Sequence, residues 1–290
     1  MTTRVDARPV PAAALPTRRR AGTATAVRWE IVKLAAQAKA RYTLLAVLVA
    51  PVAVVLVLHS QQRPPKDTLF GRHIAESGYA MPLLVLGFAA QWVLPLLTSL
   101  VAGDIVASED QQGTWKTVLT RSVSRSQLFW AKTLVAAMFA VLVLVVLTAS
   151  TVVSSMLVVG TQPLVGLAGQ LIPSGTAAPL VVASWLSTIA PLLGFTALAI
   201  LLSTWSRNPA VGVAAPVVVG LVLQLVGSLG GLDLVHRGLL TTPFEAWHGL
   251  LAEQRFYGPL VTGLVVSAAW TVVCLALAHR SLRRRDITGG

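Results

Sequence analysis

Six long stretches without a charged residue dominate the pattern of hydrophobic and polar positions along the chain. They run from 17 to 27 residues, and none of them contains Asp, Glu, Lys, Arg or His. A helix needs about 20 apolar residues to cross the hydrocarbon core of a bilayer. The predicted spans are residues 42–58, 80–101, 134–159, 177–203, 210–229 and 260–278. The pattern therefore predicts an all-α integral membrane protein with one six-span domain over residues 42–278.

The composition of the chain excludes two other classes of protein. Of the 290 residues, 55% are hydrophobic and 12% are charged, whereas soluble globular domains carry about 25% charged residues. A disordered chain would need a much lower hydrophobic fraction. Because Cys274 is the one cysteine, the sequence also excludes an intrachain disulfide framework and a multi-cysteine zinc site.

The distribution of charge predicts the orientation of the chain in the membrane. With the N-terminus placed in the cytoplasm, the cytoplasmic segments hold 18 of the 23 Lys and Arg residues and six of the 11 acidic residues. The whole net charge of +12 then lies on that side, as the positive-inside rule requires. We therefore predict a multi-pass plasma-membrane protein with both termini in the cytoplasm. Insertion into the bilayer accounts for the basic charge, so nucleic acid is not expected as a partner.

The segments that flank the spans fall into three kinds. Residues 1–26 and 279–290 predict flexible basic tails in the cytoplasm. Residues 27–41 predict an amphipathic helix that lies in the membrane interface, although they are also compatible with a solvated start of the first span. The uncharged loop 160–176 is compatible with a segment that re-enters the membrane and with an external apolar loop.

Polar residues within the spans are few, and two of them are candidates for a substrate path. Gln91 lies midway in the second span and Gln224 lies in the fifth. Each is compatible with hydrogen bonding between helices or with lining a translocation path. The spans contain no ionisable pair, which disfavours a carrier driven by an ion gradient.

The last external segment contains a pattern that is typical of a helix start. Thr242 is the predicted N-cap, Pro243 the first helical residue and Glu245 the reciprocal capping residue. Phe244 and Trp247 follow at the spacing of an apolar stripe. We expect a short helix on the outer membrane face.

The cytoplasmic segment 103–132 is more structured than a simple connector. Residues 114–120 predict a short helix with Trp115, Val118 and Leu119 clustered on one side. An apolar patch on a cytoplasmic loop fits a protein partner, and it fits equally well a contact between Trp115 and lipid headgroups. Basic residues, Lys116 and Arg121, flank the patch.

A second motif in the same segment predicts where the third span begins. Ser124 and Gln127 have the spacing of a capping box, in which each side chain accepts a hydrogen bond from the backbone of the other residue. Val123 and Leu128 stand where a hydrophobic staple stands. The third helix is therefore expected to begin near Arg125, in the cytoplasm.

The sequence GTWKTVLTRSVSRSQLFWAK, from Gly113 to Lys132, resembles the first cytoplasmic loop of the permease subunits of type-2 ABC exporters. The chain departs from that family's pattern at Ser122, where Pro is frequent, and at Val118, where Leu is frequent. The residues that match the family motif are Glu109, Gly113, Thr114, Leu119, Thr120, Arg121, Val123, Ser124, Arg125 and Lys132.

The resemblance implies a division of labour between subunits. In that family the loop forms a coupling helix that docks on a cytoplasmic ATP-binding subunit. Two permease subunits, identical or different, work with two ATPase subunits, and the substrate passes between the permeases. The residues to which the resemblance assigns ATPase coupling are Glu109, Gly113, Thr114, Trp115, Lys116, Val118, Leu119, Arg121, Ser124 and Arg125.

The absence of other motifs agrees with this division. The chain contains no G-x-x-x-x-G-K-[ST] sequence for nucleotide phosphates and no H-E-x-x-H or G-x-S-x-G motif. We expect no cofactor, metal or catalytic residue here, with ATP and Mg²⁺ bound by the partner ATPase. The expected function is export of a hydrophobic or amphiphilic compound such as an antibiotic or a lipid. The alternatives are a non-transporting membrane anchor or assembly protein and an ion-gradient-driven carrier.

Overall fold

The computed structural model describes residues 22–61, 68, 70–113, 124–229 and 233–284, and these residues are almost entirely helical. Six helical stretches in this part of the chain are long and apolar enough to cross a membrane. They are Ala38–Ser60, Ala80–Gln111, Arg125–Val158, Ser174–Ser206, Pro209–Ser228 and Gly258–Arg284. The predicted all-α membrane architecture with six spans is confirmed.

Several spans are built from more than one helix. In chain order the helices are α1 (Thr23–Ala36), α2 (Ala38–Ser60), α3 (Ala80–Phe88), α4 (Leu94–Ala102), α5 (Ala107–Gln111), α6 (Arg125–Val158), α7 (Ser174–Ser187), α8 (Ile189–Ser206), α9 (Pro209–Ser228), α10 (Asp233–Gly238) and α11 (Gly258–Arg284). A π-helical turn, Ala89–Val93, joins α3 to α4, and a 3₁₀ helix, Thr242–Leu250, lies between α10 and α11.

The helix predicted over residues 27–41 is divided in the structure. Gln37 has an extended backbone, with φ −77° and ψ 129°, and it separates α1 from α2. Arg41 Nε donates a hydrogen bond to the carbonyl of Ala35 over 2.7 Å, which satisfies one of the carbonyls left free at the end of α1. Residues 38–41 therefore belong to the helix of the first span.

The second span contains a local expansion of its helix. Leu94 N–H donates to the carbonyl of Ala89, five residues earlier, as in a π-helix. Pro95 explains the position, because it has no N–H with which to bond the carbonyl of Gln91 in an ordinary α-helix. The turn carries Gln91 and Trp92.

The spans differ strongly in how much of their surface the rest of the chain covers. The fourth span, α7–α8, is 67% buried over its most apolar window, and the second and third spans are each 50% buried. The fifth span, α9, is only 11% buried and the sixth, α11, is 17% buried. The middle three spans thus form the core, and α9 and α11 leave most of their apolar surface for lipid or for another chain.

The end of the bundle at which α3 begins is fastened to the end of α6. Ser155 Oγ donates to the carbonyl of Gly78 over 2.7 Å, and Ser77 Oγ donates to the carbonyl of Gln162 over 2.9 Å. A Cβ atom on Gly78 would lie 2.1 Å from the carbonyl oxygen of Gly160, so glycine is required for this approach. We call this set of contacts the outer clasp.

The loop 160–176 folds back on the bundle. Its two short strands, β1 (Leu164–Val165) and β2 (Leu171–Ile172), pair antiparallel with Leu164 opposite Ile172. Gln170 Nε2 donates to the carbonyl of Leu251 over 3.0 Å. The hairpin therefore packs against the end of the 3₁₀ helix.

The opposite end of the bundle contains a close helix crossing. A Cβ atom on Gly103 would lie 2.2 Å from the carbonyl oxygen of Gly212, and one on Gly212 would lie 2.1 Å from that of Gly103. Ser203 Oγ, on α8, accepts a hydrogen bond from the backbone N–H of Ala107 over 3.0 Å. The backbones of the second and fifth spans are in direct contact here, and a hydrogen bond joins the second span to the fourth.

Candidate functional site

A cluster of buried charges lies at the end of the bundle where α1, α5 and the start of α6 meet. Lys132 on α6 and Glu109 on α5 are each 2% exposed. Lys132 Nζ donates to Glu109 Oε1 over 2.9 Å and to Glu30 Oε2, on α1, over 3.1 Å. Because an unpaired charge in such a place would be costly, these contacts fix the three helices relative to one another.

Two further ion pairs extend this charge cluster toward the first span. Lys33, on α1, is also paired with Glu109, and Lys39, at the start of α2, is paired with Asp104. Glu109 therefore faces cations from two different helices. The short helix α5, which is only five residues long, is tied to α1 and α6 through the ion pairs of Glu109.

The charge cluster contains residues from both helices that the predicted coupling residues connect. Gly113 follows α5 with a left-handed backbone, φ +61°. The described chain resumes at Ser124, which accepts from Gln127 N–H over 3.1 Å, while its own N–H donates to Gln127 Oε1 over 3.0 Å. The predicted capping box and the start of α6 at Arg125 are confirmed. The pair Glu109–Lys132 thus joins α5, which precedes residues 112–124, to α6, which follows them.

The predicted coupling residues divide into two groups. Glu109, Gly113, Ser124 and Arg125 lie at the two ends of the segment, next to the charge cluster. The other six lie outside the described residues: Thr114, Trp115, Lys116, Val118, Leu119 and Arg121.

The sequence analysis missed the partners of Lys132 and Glu109. Glu30 and Lys33 lie one helical turn apart on α1, so their side chains can reach the same neighbour. Lys132 stands in an otherwise apolar part of α6, and a lysine in such a place is expected to have an acidic partner. These two signals could have indicated a charge cluster, but not which helices it joins.

A second candidate site is a groove of about 660 Å³ near Gln91. Its walls are the π turn of the second span, the outer half of α9, and the segment from α10 to the 3₁₀ helix. The side chains that line it include Trp92, Leu221, Gln224, Leu225, Thr242 and Glu245. Gln91 Nε2 donates to Glu245 Oε1 over 2.8 Å at the edge of this groove. Gln224 thus lines the groove, and Gln91 is linked to it through the hydrogen bond to Glu245.

The capping pattern predicted at Thr242 is wrong. The Thr242 hydroxyl donates to the carbonyl of His236 over 2.6 Å, and no side chain caps this helix at its N-cap residue, Thr241. Glu245 does not reach back to the N-cap, because its carboxylate accepts from Gln91 instead. A partner distant in sequence has replaced the local one.

The 3₁₀ helix is packed into the bundle, and this places Glu245 at an unexpected depth. Phe244 and Trp247 are buried, and their rings pack against Phe195 and Phe70 respectively. Gln91 is equidistant along the helix from Ala80 and Ala102, roughly 16 Å from each. The carboxylate of Glu245, a residue of a predicted external loop, is therefore in contact with a side chain from the middle of the second span.

His248, the titratable neighbour of Glu245 on the 3₁₀ helix, does not supply a positive charge to the groove. Desolvation by burial lowers the pKa of His248 below its ordinary value, and the nearby Glu245 opposes this shift only in part. His248 is therefore neutral at pH 7.

The comparison with known families agrees with the fold. The family model described as ABC-2 family transporter protein matches residues 26–227. These residues include the charge cluster, Gln91 and Gln224, and they end before the 3₁₀ helix that carries Glu245. A comparison with curated proteins finds no match. Because the matched residues make up more than half of the chain, it belongs to the ABC-2 family of transporter proteins, as a multi-pass membrane component.

Proposed function

We propose that the chain is the permease subunit of an ABC exporter that is driven by a separate cytoplasmic ATPase. The proposal rests on the position of the charge cluster in this member of the ABC-2 family. Helices α5 and α6 flank the predicted coupling segment, and the buried pair Glu109–Lys132 joins them. The cargo we propose is a hydrophobic or amphiphilic compound such as an antibiotic or a lipid.

The residues of the segment have different tasks in this proposal. Trp115 and Arg121 contact the ATPase, because an aromatic and an arginine side chain are the usual anchors of a protein interface. Glu109 is buried, so it acts as a positioning residue that keeps the segment in place. ATP and Mg²⁺ bind to the partner, since the chain has no phosphate-binding loop of its own.

A second permease subunit, identical or different, completes the translocation path. The groove contains Gln224 and Glu245 and lies beside α9, the least buried of the six spans. A carboxylate that faced lipid at this depth would be costly. A second subunit placed against α9 covers the groove from lipid and leaves a path between the two permeases.

Purification in mild detergent tests the proposal directly. We expect a tagged chain, co-expressed with the candidate ATPase, to bring down that ATPase in stoichiometric amount. Trp115→Ala and Arg121→Glu should abolish the association without lowering the amount of inserted permease. Trp29→Ala and Arg284→Glu are matched controls, because both residues are exposed at the same end of the bundle.

Two results would contradict the proposal. A solitary membrane protein, free of ATPase even after co-expression, would rule out the permease role. An unchanged association in both Trp115→Ala and Arg121→Glu would leave that role intact and would exclude docking through this segment.

A carrier driven by an ion gradient is the second candidate, because Glu245 brings an ionisable group to the depth of Gln91. The two candidates differ in their energy source. Export that persists when an uncoupler removes the proton gradient, and stops when ATP is depleted, supports the ABC permease. The reverse result supports the carrier.

A further inference from the structure

The carboxylate in the groove is accessible and has no cationic partner among the residues that the structure describes. Its hydrogen-bond partner is the neutral amide of Gln91, and no Lys or Arg nitrogen in the described ranges forms an ion pair with it. Arg237 lines a hollow on the other side of Glu245 without forming such a pair. Among the described residues, the Glu245 carboxylate thus lacks an ion-pair partner that would compete with a cationic ligand.

The surroundings of Glu245 favour an organic cation as the ligand. Trp92 is 44% exposed beside the groove, and the face of an indole ring attracts ammonium groups, most strongly where water is excluded. The other polar side chains that line the groove are the neutral Gln224, Ser228, Thr241 and Thr242 and the imidazole of His236. A metal ion such as Ca²⁺ would need six to eight oxygen ligands, and the described lining contains one carboxylate, that of Glu245.

The wall formed by α9 adds an apolar component to the same site. Leu221, Val222 and Leu225 line the groove and are between 42% and 65% exposed. They form a strip along the outer half of the helix, next to Gln224. An alkyl chain laid on this strip would place its headgroup near Glu245 and would bury apolar surface on both sides.

We propose that the groove binds cationic amphiphiles, with Glu245 as the counter-ion of the headgroup and α9 as the support of the apolar tail. That the bound compound is also the transported one rests on the permease function proposed above. Anionic amphiphiles are rejected, because the carboxylate repels them. Neutral ones bind through the apolar strip alone and hence more weakly.

The test is equilibrium binding to the purified full chain. Maltoside micelles are the suitable medium because, unlike phosphatidylcholine, the detergent carries no ammonium group that competes. The probes are radiolabelled decyltrimethylammonium and decanol, which share the ten-carbon chain and differ in headgroup charge; empty micelles give the background. We expect the ammonium compound to bind at least about tenfold more tightly than the alcohol.

Variants assign the preference to particular residues. Glu245→Gln should reduce the affinity for decyltrimethylammonium to that for decanol. Trp92→Leu should lower the affinity for the ammonium compound several-fold more than the affinity for the alcohol. Glu253→Gln is the matched control, since Glu253 is an exposed acid of the same external segment that does not line the groove. Thermal unfolding of each variant checks that the fold is retained.

Three outcomes would overturn the inference. One is equal affinity of the native chain for the two probes, and another is an unchanged preference in Glu245→Gln. The third is a groove filled by a second copy of the chain, in which case Glu245→Gln would alter the dissociation of the dimer and the native chain would bind neither probe. If the preference is found but no ATPase associates with the chain, the binding site stands and the exporter function fails. If ATP-driven export occurs but the preference is absent, the exporter function stands and the cation site fails.

Discussion

Lys132 carries its charge in a part of the protein where water cannot compensate it. Its side chain is 2% exposed and lies between the carboxylates of Glu30 and Glu109. The buried Glu109 and the half-buried Glu30 against one buried base leave an excess of negative charge, which Lys33 offsets from the side of α1. Each member of this cluster thus depends on the others, and removal of the central cation has the largest effect.

We predict that Lys132→Met destabilises the protein by about 3 kcal/mol or more, because two carboxylates lose their buried partner. Thermal unfolding in detergent measures this change. Lys33→Met should cost less than about 1 kcal/mol, since Lys33 is 44% exposed and water replaces the partner it loses.

A double variant separates electrostatics from packing at this position. In Lys132→Met with Glu109→Gln, part of the lost stability should return, because one of the two unpaired carboxylates is gone. A loss in the double variant equal to the sum of the losses in the two single variants would show that the Lys132 charge does not interact with Glu109.

How much of each site the sequence reveals depends on how local its interactions are. The capping box joins Ser124 to Gln127, three residues away, and the sequence predicts it correctly. Glu245 has the same local pattern available with Thr242, yet its carboxylate bonds to Gln91, 154 residues away. No rule based on spacing can rank a local partner against a distant one, because the distant one is known only after the bundle has packed.

At the scale of elements, the crossing of Gly103 and Gly212 determines how closely the second and fifth spans approach. Each glycine lies against the other's backbone, and in a membrane close packing replaces the hydrophobic effect as the force between helices. From this crossing the two helices run outward to the groove, and Trp92 is roughly 16 Å from Gly103 along its helix. A displacement at the crossing therefore changes the width of the groove.

We predict that Gly103→Ala and Gly212→Ala each destabilise the protein by about 1–3 kcal/mol, because the new Cβ atom would overlap backbone that cannot move aside. The unfolding temperature of the purified chain measures the effect. Gly87→Ala is the matched control in the same span: nothing lies within 4 Å of its new Cβ, so alanine should be neutral or stabilise the helix by about 0.5–1 kcal/mol. A loss in Gly87→Ala as large as in the other two would indicate that any change in the span is harmful.

Hydrophobic length predicts the existence of the spans but not their irregularities. Six uncharged stretches correspond to the six spans in the described part of the chain, since only length and apolar character are needed to cross a bilayer. The π turn at Ala89–Val93 is different. Pro95 removes a hydrogen bond at that point, but a proline kinks some helices, shifts the register of others and ends still others. Which of these occurs depends on the neighbouring helices.

At the scale of the whole molecule, the asymmetry of charge predicts which end faces the cytoplasm. The end that carries α1, the charge cluster and the C-terminal part of α11 is the basic one. We expect Arg283→Cys, in a Cys274→Ser background, to react with a membrane-impermeant maleimide only after cells are permeabilised. Glu253→Cys, at the opposite end, should react in intact cells. The reverse pattern of labelling would show that the chain is inserted the other way.

The uneven burial of the spans predicts where a second subunit binds. Val218, on α9, is 56% exposed, and Val261, on α11, is 62% exposed. If the second permease covers α9, Val218→Cys should form a cross-linked species with a bifunctional maleimide, either with itself or with a different permease. Val261→Cys should not. Equal cross-linking at both positions would indicate random collision in the membrane.

The outer clasp and the charge cluster lie at opposite ends of the same two helices. Ser155 and Gly78 join the second and third spans at one end, and Glu109 and Lys132 join them at the other. Two rods that are fixed together at both ends behave as a rigid frame, so a force at the base cannot separate them. We therefore expect a push on the segment that connects them to tilt the frame as one body, together with α9, whose backbone lies against the frame at the Gly103–Gly212 crossing.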